Sequence, residues 1–305
     1  MSVSLECLSD SARHLPCEEH LIIHYRLLFV LLVLPVSLVY DLWFSLRRRL
    51  VLLLHSSPSN HREKVAALQR QVREYKARGE TRAMAADKSV WAQESDTESR
   101  AKVYPVKINL VDILHIDISR RVVVCEPLVT MGLLMSRLDR LGWTLPVVPE
   151  LDSLTVGGLV MGAGIETSSH RRGLFQHICR SYELVLADGS LVECSAQSDP
   201  DLFYSIPWSY GTIGFLTRVD IEIVPSRRFV KLDYIPVYSL EQMVETMERE
   251  LERPDSAQLV ECLMYGKDRA VVMTGNMIDC CHPDKLNEIG LWHKPWFYKH
   301  VQVVN

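Results

Sequence analysis

The sequence predicts an α+β protein carried on an N-terminal membrane-spanning helix, and three observations support this. An apolar run, Leu27–Leu46, is followed at once by a basic cluster. Beyond it, helix-period and strand-period segments alternate in short pieces. Between them lies a glycine-rich stretch, LTVGGLVMGAGIETSSHRRGLFQHICRSYELVLADGS at Leu154–Ser190, that closes as strand, turn, strand. With 305 residues and 48% hydrophobic content the chain can bury a substantial core in one large or two ordinary domains.

The apolar run holds one charge, Asp41, and at about 1.5 Å per residue spans a hydrocarbon core of roughly 30 Å. Tyr40 and Trp43 lie toward one end, as interfacial aromatics do, and no small-residue cleavage site follows Ser37, so a permanent anchor is expected. Arg47-Arg48-Arg49 flank its C-terminal side, while Arg13 and Arg26 stand among Glu6, Asp10, Glu18 and Glu19 on the other. The positive-inside rule then puts residues 1–26 in the lumen, 27–46 in the bilayer, and the basic segment 47–57 with the body of the protein in the cytosol.

Pro58–Gly79 reads as a helix, with Ser59 or Asn60 to cap it, an apolar stripe of Val65, Leu68, Val72 and Tyr75, and Gly79 to stop it. Val106–Leu114 and Arg121–Cys125 read as strands, and Thr130–Leu141 as an amphipathic helix ending at Gly142. Alternating residues in Tyr182–Leu186, the Asp188-Gly189 turn and Leu191–Cys194 predict a hairpin. Phe215–Val224, Leu259–Tyr265 and Ala270–Thr274 are further strands, the last two expected to lack partners.

Composition excludes several functions. A net charge of −4, without basic and aromatic residues interleaved along a groove, argues against nucleic acid as a partner. The eight cysteines lack C-x-x-C spacing, so neither a zinc site nor a disulfide framework is expected. Cys280-Cys281-His282 is too compact to share one small ion, and free thiols in a reducing compartment are the expectation.

The glycine segment carries the chemistry. Gly157, Gly158, Gly162 and Gly164 fall within eight positions, where absent side chains let main-chain N–H groups approach an anion. No Gly-Lys-Ser/Thr ending makes it a Walker loop, and Glu166-Thr167-Ser168-Ser169-His170 suits the helix opening of a Rossmann loop poorly. A phosphate or pyrophosphate is the natural guest.

The order T-V-G-G, G-x-G, Ser-Ser-His, then a strand pair across A-D-G-S resembles the flavin-binding domain of the FAD-linked oxidase superfamily, of vanillyl-alcohol-oxidase or PCMH type. Glu126-Pro127-Leu128-Val129-Thr130-Met131-Gly132, Gly142-Trp143-Thr144-Leu145-Pro146, Gly173-Leu174-Phe175-Gln176-His177-Ile178-Cys179 and Lys294-Pro295-Trp296-Phe297 are similar to the delta(24)-sterol reductase, diminuto/seladin, group.

The resemblance implies a two-lobed FAD-binding domain over 58–234. It also implies the start of an α+β substrate domain over 235–305, which family members continue well past this chain's end. The principal FAD segment would be Gly157, Gly158, Leu159, Val160, Met161, Gly162, Ala163, Gly164, Ile165, Glu166, Thr167, Ser168 and Ser169. In it Gly157 and Gly158 permit backbone approach to the pyrophosphate, Gly162 and Gly164 shape the turn, and Ser168, Ser169 and His170 donate. Gly211–Gly214 would approach the flavin or form an ordinary turn. His170 and His177 are structural candidates rather than acids. The catalytic residues are not specified.

Family members carry an Arg-Pro-Gly-Trp turn as the other half of the cradle. Arg82–Ser95 lacks it and places Asp87 beside Lys88 there. The same stretch has neither His nor Cys, which implies non-covalent FAD. The implied reaction is reduction of the sterol carbon 24–25 double bond in cholesterol-type biosynthesis: NADPH reduces FAD, hydride passes to the alkene and an acid protonates the other carbon. The implied partners are a sterol drawn from the membrane and the lipid bilayer, and the implied location is the endoplasmic reticulum or Golgi membrane. The alternative is a catalytically inactive, truncated, membrane-anchored derivative with a binding or regulatory role. The oligomeric state is left open.

Overall fold

The computed structural model describes residues 26–87, 102–287 and 297–304. It divides into two compact units, residues 1–56 and 57–305. In the first, helix α1 (Arg26–His55) runs for 30 residues with Pro35 inside it. Helical backbone therefore covers the expected span and most of the basic segment after it. Val36, Leu38, Val39, Tyr40, Leu42, Trp43 and Leu46 are exposed, and the Arg47 guanidinium lies 5.7 Å from the Trp43 ring centroid. Among the described residues, no helix is long and apolar enough to cross a membrane. The side chains of 27–34 and the tail before Arg26 lie outside that description.

The second unit opens with a turn at Pro58–Asn60 and helix α2 (His61–Ala77). Val65, Leu68 and Val72 are buried as their spacing requires, and Gly79, at φ +62°, ends the segment in the left-handed region glycine favours. Asn60 holds the N-cap position without a side-chain capping bond. Strands β1 (Met84–Asp87) and β2 (Tyr104–Lys107) pair in parallel. Positions 88–95, most of the stretch lacking the Arg-Pro-Gly-Trp turn, lie outside the described residues.

The single strand expected over Val106–Leu114 is in fact divided. β2 ends at Lys107 and β3 (Ile113–Asp117) begins beyond an irregular crossing. Ile108, Leu110 and Val111 are buried there, so the run is apolar for packing rather than for pairing. Its hydrogen bonds go to Glu126 and Leu128, whose N–H groups donate to Asp112 O and Leu110 O at 2.9 Å.

Next come β4 (Val122–Cys125), α3 (Met131–Asp139), β5 (Trp143–Thr144), α4 (Val156–Met161), α5 (Ser169–Arg172), β6 (Cys179–Leu186), β7 (Leu191–Ser195), α6 (Pro200–Ser205), β8 (Gly214–Glu222) and β9 (Val224–Pro225). Five strands form an antiparallel sheet in the order β3-β4-β8-β6-β7. The expected hairpin joins β6 to β7 through Gly189, at φ +82°. Alternation along β6 sends Tyr182 and Leu184 into the core shared with α3 and α4, and Val185 into the core shared with α2. Helices therefore cover the sheet on both faces.

The remaining strands are β10 (Phe229–Val237), β11 (Leu259–Met264) and β12 (Ala270–Ile278), with helices α7 (Leu240–Glu252) and α8 (Phe297–Val304). The expectation that the last two strands lack partners is corrected: β12 lies between β10 and β11, antiparallel to both. Val237, Ala270 and Val272 pack under α7 with Met243 and Met247, while Val271 and Met273 pack on the other face with Val301 and Phe297 of α8. The expected junction at 234/235 falls inside β10, and the break between sheets lies before Phe229.

Candidate functional site

The glycine segment is built on two helix starts laced together. Thr130 Oγ1 accepts the Leu133 N–H at 3.4 Å to cap α3, and Thr155 Oγ1 accepts the Gly158 N–H at 3.2 Å to cap α4. Main-chain bonds tie the two starts, from Met131 N–H to Leu154 O at 2.8 Å and from Val156 N–H to Val129 O at 2.9 Å. Gly157 is required for closeness: its N–H donates to Pro127 O at 2.8 Å, and a Cβ there would lie 2.8 Å from Pro127 Cβ.

The sequence-predicted residues thus divide into two groups. Gly157, Gly158, Leu159 and Gly162 direct their N–H groups to Pro127, Thr155 and Gly158 within the fold, and Leu159 and Val160 are core residues. Met161 accepts through its carbonyl the Tyr210 N–H at 3.2 Å and through its sulfur the Ser209 hydroxyl at 3.3 Å. Among the described residues, by contrast, the N–H groups of Ala163, Gly164 and Ile165 have no acceptor. Gly164 is buried against Leu159 and Phe175, each 3.1 Å from the position of an added Cβ, while Ala163 and Ile165 are exposed. Successive free N–H groups in such a turn form the concavity an anion occupies. The free donors therefore lie in the middle of the predicted segment rather than at Gly157 and Gly158.

Polar side chains beyond the turn are mostly committed. Ser168 donates to Pro146 O at 2.8 Å, and Ser169 Oγ accepts the Glu166 N–H at 2.8 Å, which leaves its own hydrogen free. Thr167 O accepts the Val260 N–H at 2.8 Å, and His170 Nε2 lies 2.9 Å from Ala257 O, so this turn is bonded to β11 and the loop before it. His177 Nδ1 accepts the Leu174 N–H at 2.7 Å. Both histidines serve local structure. Burial, with the charges of Glu150 and Glu261, outweighs a hydrogen bond from Glu150 and raises the Glu166 carboxyl above its ordinary range.

A strained loop flanks the turn. Trp208, Tyr210 and Gly211 all have positive φ, at 64°, 52° and 79°. Bonds from Trp208 N–H to Val160 O and Tyr210 N–H to Met161 O, both 3.2 Å, hold the loop against the end of α4. Trp208, Tyr210 and Ile165 present exposed apolar surface. The strand after it starts at Gly214, where a Cβ would lie 2.7 Å from Val185 O.

One feature escapes sequence reasoning altogether. His61, at the start of α2, places Nδ1 2.8 Å from Glu126 and Nε2 3.3 Å from Glu183. Lys64, one turn on, bonds Asp112 at 2.5 Å and Glu126 at 3.2 Å, and Glu126 also accepts the Asp112 N–H at 2.8 Å. Thr217 donates to Glu183 at 2.6 Å, with Arg218 at 3.4 Å. Burial disfavours a charged imidazole, yet the hydrogen bonds and charges of Glu126 and Glu183 prevail and raise His61 to about 9. Burial likewise works against the Glu183 carboxylate, but bonds from His61 and Thr217 hold it below its ordinary range. Because Pro127 follows the fully buried Glu126, this cluster braces the residue on which Gly157 rests.

A family model for the FAD binding domain matches residues 60–195, a stretch that holds α2, the ionic cluster except Thr217 and Arg218, and the whole donor turn. The turn suits such a group: three free donors, glycine where a side chain would intrude, and a fixed floor. The match makes residues 60–195 an FAD-binding domain of the FAD-linked oxidase superfamily. Within that class the chain is a homologue of the delta(24)-sterol reductases. It is 48% identical to the delta(24)-sterol reductase of Mus musculus, and 48% to that of Homo sapiens, over 93% of this chain and 55% of each of those proteins. A delta(24)-sterol reductase homolog of Caenorhabditis elegans is 38% identical over 94% of this chain and 58% of its own. The chain thus spans little more than half the length of these curated relatives.

Proposed function

We propose that this chain is an FAD-dependent oxidoreductase that reduces the side-chain double bond between carbons 24 and 25 of sterols, with NADPH as electron donor. The observation that carries this is the free N–H run at Ala163–Ile165, in a chain 48% identical over 93% of its length to delta(24)-sterol reductases. Bound FAD supplies hydride-transfer chemistry. The turn binds the anionic pyrophosphate through those N–H groups and the Ser169 hydroxyl, without a covalent tether. The exposed Trp208, Tyr210 and Ile165 offer an apolar substrate side chains to pack against.

The sterol comes from the bilayer. The apolar run Leu27–Leu46 within α1 is the anchor, with Trp43 and Arg47 at the interface and the basic residues after it in the cytosol. The endoplasmic reticulum or Golgi membrane is the location this chemistry favours.

The test is the visible spectrum of the full chain purified in detergent. Flavin absorbance is expected, followed by bleaching with NADPH and conversion of a delta(24)-sterol to its saturated side chain. A second reading, a non-catalytic membrane-anchored derivative, is favoured by Asp87 at the end of β1, where the family's Arg-Pro-Gly-Trp turn is missing. A colourless protein that added FAD does not restore selects that second reading.

A further inference from the structure

We propose that Cys280 and Cys281 form a chelating dithiol site for trivalent arsenic carrying one organic substituent. Six cysteines are described, all as free thiols. Cys125, Cys179 and Cys194 are buried in the sheet, and burial raises all three thiols, Cys179 to about 12 and Cys194 to about 11. Cys262 is half-buried in β11 and raised by burial too. Cys280, by contrast, is exposed, and its neighbour Cys281 is partly so.

The pair lies just past the end of β12, where Ile278 pairs with Phe229 and Asp279 forms an ion pair with Arg227. Those contacts fix the strand end from which the two thiols emerge. Adjacent Cα atoms lie about 3.8 Å apart across a trans peptide, so rotation about χ1 lets both sulfurs meet one atom.

Ligand number selects the guest. His282 Nδ1 is 3.2 Å from Asp284, and among the described residues no group of three or more His, Cys, Asp or Glu can hold a metal ion. A tetrahedral zinc ion is therefore poorly served. Arsenic(III) bearing one aryl group needs only two sulfurs. The step is a condensation: the arsenic–oxygen bond of the aryl arsenoxide breaks, two arsenic–sulfur bonds form, and the oxygen leaves with both thiol protons as water. Arsenic stays trivalent, and nothing is oxidised.

The experiment uses the full chain in detergent and phenylarsine oxide. One adduct is expected by intact mass, with two titratable thiols lost, resistant to excess 2-mercaptoethanol and released by 2,3-dimercaptopropanol. Cys280→Ser and Cys281→Ser should each lower retention against the monothiol by at least about tenfold, since a singly bonded arsenical loses the second thiol's effective concentration. Cys7→Ser/Cys17→Ser should retain it fully, and matching far-ultraviolet circular dichroism establishes that each variant is folded. An adduct that a monothiol removes, that survives in both Cys280→Ser and Cys281→Ser, or that disappears in Cys7→Ser/Cys17→Ser overturns the proposal.

Discussion

The cofactor half of the second unit and its three-stranded sheet are held together by different means. Around α2 the chain joins half-buried His61 and Lys64 to buried Asp112, Glu126 and Glu183 in one connected cluster. Around the sheet of β10, β11 and β12, ion pairs such as Lys231 with Asp233 and Arg253 with Asp255 sit at exposed positions, Glu250 of α7 being the buried exception, over an apolar core. Buried charges are costly when a partner is lost, whereas exposed ones are screened by water. The first region is therefore brittle to single substitutions where the second is tolerant, and the brittle region is the one that carries the donor turn.

The strongest break comes at Glu126. Glu126→Ala removes the carboxylate shared by His61, Lys64 and the Asp112 N–H. A loss of about 3–5 kcal/mol is expected in chemical denaturation, because His61, Lys64 and the Asp112 N–H each lose a partner. A change under about 1 kcal/mol would mean that the cluster is not a structural clamp.

Titration tests the same cluster without mutation. The folded value of His61, about 9, lies above its unfolded value of 6.5, so its contribution is complete below pH 6.5 and is lost as pH rises through 9. The melting midpoint should therefore fall between pH 7 and about 10, and His61→Gln should flatten that fall while lowering the midpoint at neutral pH. A wild-type profile that is level across this range removes the imidazolium from the account.

These two experiments probe what the sequence hides. The helix at His61–Ala77 was legible because Val65, Leu68 and Val72 repeat at helical spacing and Gly79 stops the chain. The β6–β7 hairpin was legible from Asp188-Gly189, since a positive φ is a local demand. The ionic cluster gives no such signal: His61 and Glu183 are 122 positions apart, and each charged residue alone resembles a surface residue. Val106–Leu114 misleads for a related reason, since burial of Val106, Ile108, Leu110 and Val111 in one core makes a crossing segment look like a strand. Within the site, the glycines marked the right segment. Which of its N–H groups stay free depended on Pro127 and Thr155, on which periodicity is silent.

Gly157→Ala tests that division of labour. The added Cβ would lie 2.8 Å from Pro127 Cβ and 3.1 Å from its carbonyl oxygen, so α4 must shift. Such overpacking costs about 1–3 kcal/mol. Flavin content per chain should drop with it, since Gly162–Ile165 follows α4 directly. Full flavin occupancy in the variant would detach the donor turn from its floor.

The smallest effect belongs to the exposed sheet. Lys231 and Asp233 lie 3.1 Å apart with both side chains more than half exposed, on the edge strand β10. Lys231→Ala should cost no more than about 1 kcal/mol, and added salt should narrow the difference from wild type further. The measurement is worth making because it calibrates the contrast with Glu126. If it costs as much as Glu126→Ala, the sheet's stability does not rest on Val271, Val272 and Met273 beneath α7 and α8, and the two regions are alike. If it costs a fraction of that, burial rather than charge type separates them, and the brittle region is confined to the residues that support the donor turn.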